Sequence, residues 1–186
     1  MSHVEPTCPV SRPYGRSLRC FRGFAALICC MRITSEVFEH EGHIPGEFTA
    51  DGHGELTPLQ IHEVPTEAVS LVIISHDPDA PPQKWPGGNF DHWVVWGLPA
   101  TTTELTGDAD VVTLGGHVGA NSLGANSYKC PAPPVGDGVH RYYFTLYALD
   151  TALDLAPGSD RQTVEDALDG HVLATATLLG RYERAS

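Results

Sequence analysis

At 186 residues with 41% hydrophobic content, the chain is long enough to bury one substantial core and short enough to expect a single domain. Its formal charge of −12 understates the acidity of the larger part: with Arg12, Arg16, Arg19, Arg22 and Glu5 of the first thirty residues set aside, 11 basic and 23 acidic residues become 7 and 22. A field of that sign repels nucleic-acid backbones and anionic lipid surfaces, which excludes both as general partners. No apolar run is long enough to cross a bilayer, so stable membrane insertion is not expected either. Only Lys84 and Lys129 are lysines. An acidic, lysine-poor surface stays soluble where salt screens charge strongly, which fits a salt-rich cytoplasm.

Residues 1–30 hold Cys8, Cys20, Cys29 and Cys30, leaving Cys130 alone in the remainder, where no intradomain disulfide can form. This is the pattern of a reduced cytoplasmic protein. The run Arg19 to Cys30 competes as a secretion signal, but its apolar core is at the short limit and Ile28 is bulky before Cys29. Residues 1–30 show neither helical nor strand period, and read as a disordered extension or as sequence upstream of a true start at Met31.

From Met31 onward Gly and Pro recur every eight to twelve residues between short β-branched or apolar runs, an all-β rhythm. The expected strands are Arg32 to Phe38, Val69 to His76, His92 to Leu98, Val111 to Leu114 and His140 to Leu149. Val69 to His76 and Trp93 to Trp96 are apolar without alternation, which predicts burial on both faces at the centre of the fold. Trp93 and Trp96 are therefore core residues, whereas Trp85, among prolines, is placed beside a pocket or interface. Pro78, Pro81, Pro82 and Pro86 forbid ladder pairing and make the intervening loop stiff. Helical material is confined to the C-terminal part. Ser159 or Asp160 caps, Val164, Ala167 and Leu168 follow at helical spacing, and after Gly170 the pattern resumes over Val172 to Leu179.

Several groupings suggest chemistry. Ser75, His76 and Asp77 are adjacent, but neighbours on a strand face opposite ways and cannot act in line as a triad. Asp77, Asp79, His92 and His140 form a plausible metal-ligand set without any diagnostic spacing, and no metal or cofactor is expected from it. The Gly115–Gly124 segment has neither a Walker lysine nor the G-x-G-x-x-G order, and reads as a loop.

A small-anion pocket fits better. Asp77 beside His92 and His140 would raise the imidazole pKa values and leave N–H groups aimed at a ligand oxygen. Tyr142, two residues after His140, shares its strand face and adds a phenolic donor, while Pro133 and Pro134 hold the approach rigid. Taken singly each residue also has a bland explanation. A strand-end histidine is commonly structural, and Asp before Pro is common turn chemistry.

Taken together, the ordered motifs Asp77-Pro78-Asp79-Ala80-Pro81, Asp91-His92-Trp93, Tyr128 with Pro131-Ala132-Pro133-Pro134, and Gly138-Val139-His140-Arg141-Tyr142 resemble the phosphatidylethanolamine-binding protein (PEBP) family. They are most similar to its bacterial and archaeal YbhB/YbcL branch, labelled Raf kinase inhibitor-like. The likeness runs from Met31 through Gly180-Arg181-Tyr182-Glu183-Arg184 and makes residues 31–186 a PEBP-like domain. It implies a mostly β fold with a large central sheet, a smaller sheet and few peripheral helices, including a C-terminal helical segment.

The resemblance also implies a site for phosphate, phosphorylethanolamine-like or acetate-like anions. Asp77, His92, His140 and Tyr142 match its pocket and Pro81 and Pro134 its walls. It makes Ala80–Pro81 a candidate cis peptide and Tyr182 a residue approaching the pocket from a C-terminal helix, and it suggests a homodimer. Asp79 and Arg141 are expected to form a structural pair, because Arg141 alternates away from His140 and Tyr142. Lys129-Cys130 and Ala132 depart from the family pattern in a way that narrows the pocket mouth. Cys130 has no visible base to activate it, so no catalytic residue is assigned and a binding protein is the first reading. The alternative is a hydrolase or other acid–base enzyme acting on a phosphorylated metabolite through the Asp/His pocket. No protein partner can be named from fold likeness.

Overall fold

The computed structural model describes residues 31–184. In chain order its elements are β1 (Arg32–Thr34), β2 (Leu59–His62), β3 (Ser70–Asp77), β4 (Phe90–Pro99), β5 (Glu104–Leu105), α1 (Asp108–Thr113), β6 (His117–Val118), β7 (His140–Leu149), α2 (Arg161–Ala167) and β8 (Val172–Tyr182). They build two antiparallel sheets, a small one in the order β1-β2-β5 and a large one in the order β6-β4-β3-β7-β8.

The two apolar runs sit at the middle of the large sheet, and their lack of alternation has the expected cause. Leu71, Ile73, Trp93 and Val95 face the small sheet and join Leu59, Ile61 and Leu105 in the main core. Val72, Ile74, Val94 and Trp96 face the other way, where Val164 and Leu168 cover them. Both sides of β3 and β4 are therefore dry, and each position takes an apolar residue. Trp93 and Trp96 are fully buried, and truncating either to alanine would cost about 3–5 kcal/mol. The helix α2 that covers the second face starts at Asp160, whose carboxylate accepts from the Thr163 N–H at 2.9 Å.

Three segments differ from the sequence expectation. The strand expected over Arg32 to Phe38 stops at Thr34, and residues 40–44 instead run along the outer edge of β8. There Glu41 N–H donates to Leu179 O at 2.6 Å and Ile44 N–H to Arg181 O at 2.8 Å. That close approach requires Gly180, where a Cβ would stand 2.6 Å from Ile44. The strand expected over Val111 to Leu114 belongs to the helix α1, of which only Val111 is buried. Its polar flank decides the conformation: Asp110 accepts from Thr106 N–H at 2.6 Å, and Asp108 accepts from Trp93 Nε1–H at 2.6 Å.

The third difference is the largest. Val172 to Leu179 is not helical but part of the longest strand, paired with β7 over nearly its whole length. Gly170 at φ 80° ends the preceding helical turn. Ala174, Ala176 and Leu178 then pack on the core while Thr175 and Thr177 face out, a period of two carried by β-branched residues. The open edge of β7 supplies the backbone partners that an isolated sequence window cannot reveal. The Gly115–Gly124 segment is likewise not wholly irregular, since His117–Val118 adds β6 beside β4.

Candidate functional site

The strand ends of β3, β4 and β7 meet at one edge of the large sheet, and the first motif residues stand there. Asp77 closes β3 and turns the chain: its Oδ1 accepts from Asp79 N–H at 2.8 Å. Its Oδ2 accepts from His140 Nδ1–H at 2.7 Å, at the first residue of β7. Both side chains are almost fully buried, 6% and 2% exposed. The alternation of β7 sends His140 and Tyr142 inward and Arg141 outward. Arg141 accordingly pairs with Asp79, donating from Nε at 2.8 Å and Nη2 at 2.7 Å, while its backbone N–H donates to the same carboxylate at 3.0 Å. This is the structural pair expected from the sequence.

His92 reaches the same place by an irregularity. Ser75 pairs with Trp93 and His76 with Asp91, so His92 is the extra residue of a β-bulge in β4. Regular alternation would put His92 opposite Trp93. The bulge instead turns it to the inner face, edge-on to Tyr142 with ring centroids 5.3 Å apart. The segment Tyr128–Pro134 runs alongside, where Lys129 N–H donates to His92 O at 2.9 Å and Lys129 O accepts from His92 Nδ1–H at 2.6 Å.

These elements enclose a cavity of about 150 Å³. Asp77, Pro81, His92, Pro134, His140 and Tyr142, the six residues singled out from the sequence, all line it. Trp85, Phe90, Cys130, Ala132 and Pro133 complete its walls, with Trp85 packed edge-on against Phe90 at 4.6 Å. Both lysines of the chain, Lys84 and Lys129, line it as well.

The electrostatics divide the two imidazoles. Burial opposes charge on His140, but the Asp77 hydrogen bond and charge outweigh it. They are joined by Asp137, whose carboxylate accepts from Nε2–H at 3.2 Å, and the His140 pKa is raised. Burial also raises Asp77, against which the hydrogen bonds from His140 and Asp79 N–H act. Two carboxylates around one buried ring favour its protonated form. His92, by contrast, is buried without a carboxylate contact and is lowered to about 4. Burial pushes the Tyr142 phenol upward, with the Asp77 charge adding to it, so its hydroxyl keeps its proton. The Tyr142 hydroxyl and His92 Nε2 are both buried without a hydrogen-bond partner.

Three site expectations change. His92 is oriented by the Lys129 carbonyl and not by Asp77, and its pKa moves down where the carboxylate was expected to raise it. Ala80–Pro81 is trans, the isomer an X–Pro bond prefers by default. Tyr182 lies on β8, not on a helix. Its hydroxyl donates to Asp51 at 2.8 Å, and it does not line the cavity. Among the described residues no three His, Cys, Asp or Glu side chains converge as a metal requires, and Asp79 is engaged by Arg141.

Asp137 is the contact that sequence reasoning missed. Its signal was present in Gly136-Asp137-Gly138, a turn with both glycines at positive φ, three residues before His140. The lysines were noticed for their scarcity but not placed together. Residues 1–30 lie outside the described residues, so the readings made of them gain nothing here. Within the described residues no helix is long and apolar enough to cross a membrane.

Comparison with known proteins gives one answer. The sequence model of the phosphatidylethanolamine-binding protein family matches residues 34–183. A UPF0098 protein of Methanothermobacter thermautotrophicus is 43% identical over 157 residues, spanning 83% of this chain and 99% of that protein. Among solved structures, a protein of Chlamydia trachomatis described as a PEBP homologue superimposes with TM-score 0.78 at 38% identity, covering 84% of this chain and 99% of that one. Escherichia coli YbcL, described as a member of the mammalian PEBP family, follows with TM-score 0.73 at 28% identity, covering 83% and 98%. With its two sheets, few helices and the motif residues gathered at one sheet edge, the chain belongs to the phosphatidylethanolamine-binding protein family.

Proposed function

We propose that this protein binds a small phosphorylated or carboxylate anion in the cavity between the ends of β3, β4 and β7. The observation that carries the reading is a concentration of positive charge against the overall field. In a chain of net −12, both lysines line the cavity that also holds the buried His140, whose pKa is raised by its carboxylate partners. Such a site draws an anion in and holds it where water is partly excluded. Asp77 keeps His140 oriented, the Tyr142 hydroxyl donates to a ligand oxygen, and Pro81, Pro133 and Pro134 keep the walls ordered before the ligand arrives. The ligand-binding residues are then Asp77, Pro81, His92, Pro134, His140 and Tyr142, with Lys84 and Lys129 added.

Calorimetric titration with phosphate and with phosphorylethanolamine tests this. Saturable binding of either, with an accompanying rise in melting temperature, is expected. No heat and no thermal shift at millimolar ligand would discard the proposal.

An acid–base enzyme is the second reading, favoured by the buried Asp77–His140 pair facing a cavity. Turnover of phosphate esters that disappears in His140→Ala would establish it over simple binding. A regulatory role of the kinase inhibitor-like kind would work through the ligand-filled and ligand-free states of this cavity. Cytoplasmic residence belongs to the same reading, since Cys130 is a free, buried thiol. Homodimer formation also does, and sedimentation velocity checks it.

A further inference from the structure

The bulge that turns His92 into the cavity also turns its neighbour Asp91 away from it, to the opposite face of the large sheet. There Asp91 is held through both its side chain and its backbone. Its Oδ1 accepts from Asn89 Nδ2–H at 2.7 Å and from Arg161 Nη1–H at 3.0 Å. Its backbone N–H donates to Ser122 Oγ at 2.8 Å, and its backbone oxygen accepts from Ser122 N–H at 3.0 Å. Two segments of the cavity wall therefore hang on a residue that does not itself line the cavity: His92 follows Asp91 in the chain, and Leu123 follows Ser122.

Among the described residues Arg161 is the one cation paired with Asp91. It opens α2, and its Nε–H donates to Glu165 one turn on at 2.7 Å. The helix is fixed to the sheet by Val164 and Leu168, which pack on Val72, Ile74, Val94 and Trp96, so the guanidinium is presented from a rigid base. Both partners of the Arg161–Asp91 pair are only 22% exposed, which sets it apart from a freely exchanging surface pair. Without the guanidinium the Asp91 carboxylate keeps only Asn89 and gains by swinging toward water, and the bulge beneath it is freed to relax.

We infer that Arg161 is a positioning residue for the cavity on the far side of the sheet: through Asp91 it fixes the β4 bulge and with it the inward setting of the His92 ring. None of the α2 residues lines the cavity, so the helix acts on the site from behind. The effect on affinity rests on the anion-binding reading, whereas the effect on the ring needs no ligand.

Two variants of the same helix separate positioning from stability. Arg161→Met keeps a long stem and a good helix former but removes the charge. Val164→Ala opens the core under α2 and leaves the Arg161–Asp91 pair in place. The full chain and both variants are compared by melting temperature, by the NMR resonance of the His92 Nδ1–H that donates to Lys129 O, and by calorimetric titration with phosphate. In Arg161→Met the His92 resonance is expected to shift or broaden in the ligand-free protein. Phosphate should bind about tenfold more weakly, the scale on which groups behind a binding residue are felt. Val164→Ala should melt lower yet leave the resonance in place and the affinity within about twofold of wild type. An unmoved His92 resonance in Arg161→Met overturns the inference, and so do changes in both variants that track their loss of melting temperature. Should the wild-type chain bind no phosphate, the anion reading falls, and the ligand-free His92 resonance still decides whether Arg161 sets the ring.

Discussion

Two acid–base pairs leave the same strand ends in opposite directions. Asp77–His140 points into the sheet edge and is nearly sealed, whereas Asp79–Arg141, two residues and one residue further on, points to solvent with 28% and 46% of its side chains exposed. Contact lengths are alike at 2.7 Å. What separates them is the surrounding medium. In water the outer pair gains little because solvent screens it and two mobile side chains must be held, so it contributes within about 1 kcal/mol. Inside, removing one partner strands a charge in a poor solvent, a loss of about 3–5 kcal/mol. The inner pair is also the one that faces the cavity, so stability and proposed function are joined there and separate outside.

His140→Ala should break the comparison most severely. It leaves the Asp77 carboxyl buried without its donor, and the stability loss in urea denaturation is expected to approach the upper part of that range. Phosphate affinity should fall about a hundredfold in calorimetry, in keeping with the loss of a desolvated charged contact.

Acid titration extends the contrast to rings that lack a carboxylate. Burial lowers His76 and His92 to about 4. For such rings the folded state binds protons less readily than the unfolded one, so their stability contribution is lost as pH falls from about 6.5 towards 4. The loss is roughly 2–3 kcal/mol per ring, with the upward shift of Asp77 offsetting part. Urea midpoints at pH 7 and pH 4.5 measure it. A protein equally stable at both would contradict the buried neutral rings.

His140 carries the opposite sign. Its pKa is raised on folding, so its contribution is complete below the unfolded value near 6.5 and is lost as pH rises through the higher folded value. Phosphate affinity should weaken over that same rise. Affinity that stays level from pH 5 to pH 9 would show that the lysines, not the imidazolium, hold the anion.

Smaller effects sharpen the picture. Asp137→Asn removes a half-exposed negative charge from His140 Nε2. A few-fold gain in phosphate affinity is expected, with a lower apparent His140 pKa by NMR titration. Arg141→Ala should cost no more than about 1 kcal/mol in denaturation. It should leave phosphate affinity within about twofold of wild type, since the side chain points away from the cavity.

How much of this could be read in advance differs from element to element. β7 was legible to the residue, because His140-Arg141-Tyr142 alternates where one face is sealed and the other wet. β8 was not, since Ala174-Thr175-Ala176-Thr177 is compatible with more than one period and becomes a strand only beside the open edge of β7. At the site, Asp77, His140, Tyr142 and the prolines were placed by local rules: strand alternation, turn chemistry and the order of motifs. His92 lines the cavity, but the contact expected of it, with Asp77, is not the one it makes.

From sequence alone came the all-β character, the doubly buried central strands and the six residues that line the cavity. The first two follow from a period that acts over a few neighbouring positions, and the six residues from the order of motifs that the chain shares with its family. Only the tertiary structure decided the bulge that turns His92 inward, the Lys129 carbonyl that sets its tautomer, the presence of both lysines in the lining of the cavity, and the contact of Asp137 with His140. Those features depend on strand register and on contacts between residues three to 37 positions apart. Burial lowers both imidazoles and only at His140 do carboxylates outweigh it, a balance that is a property of the packed chain and not of any segment of it.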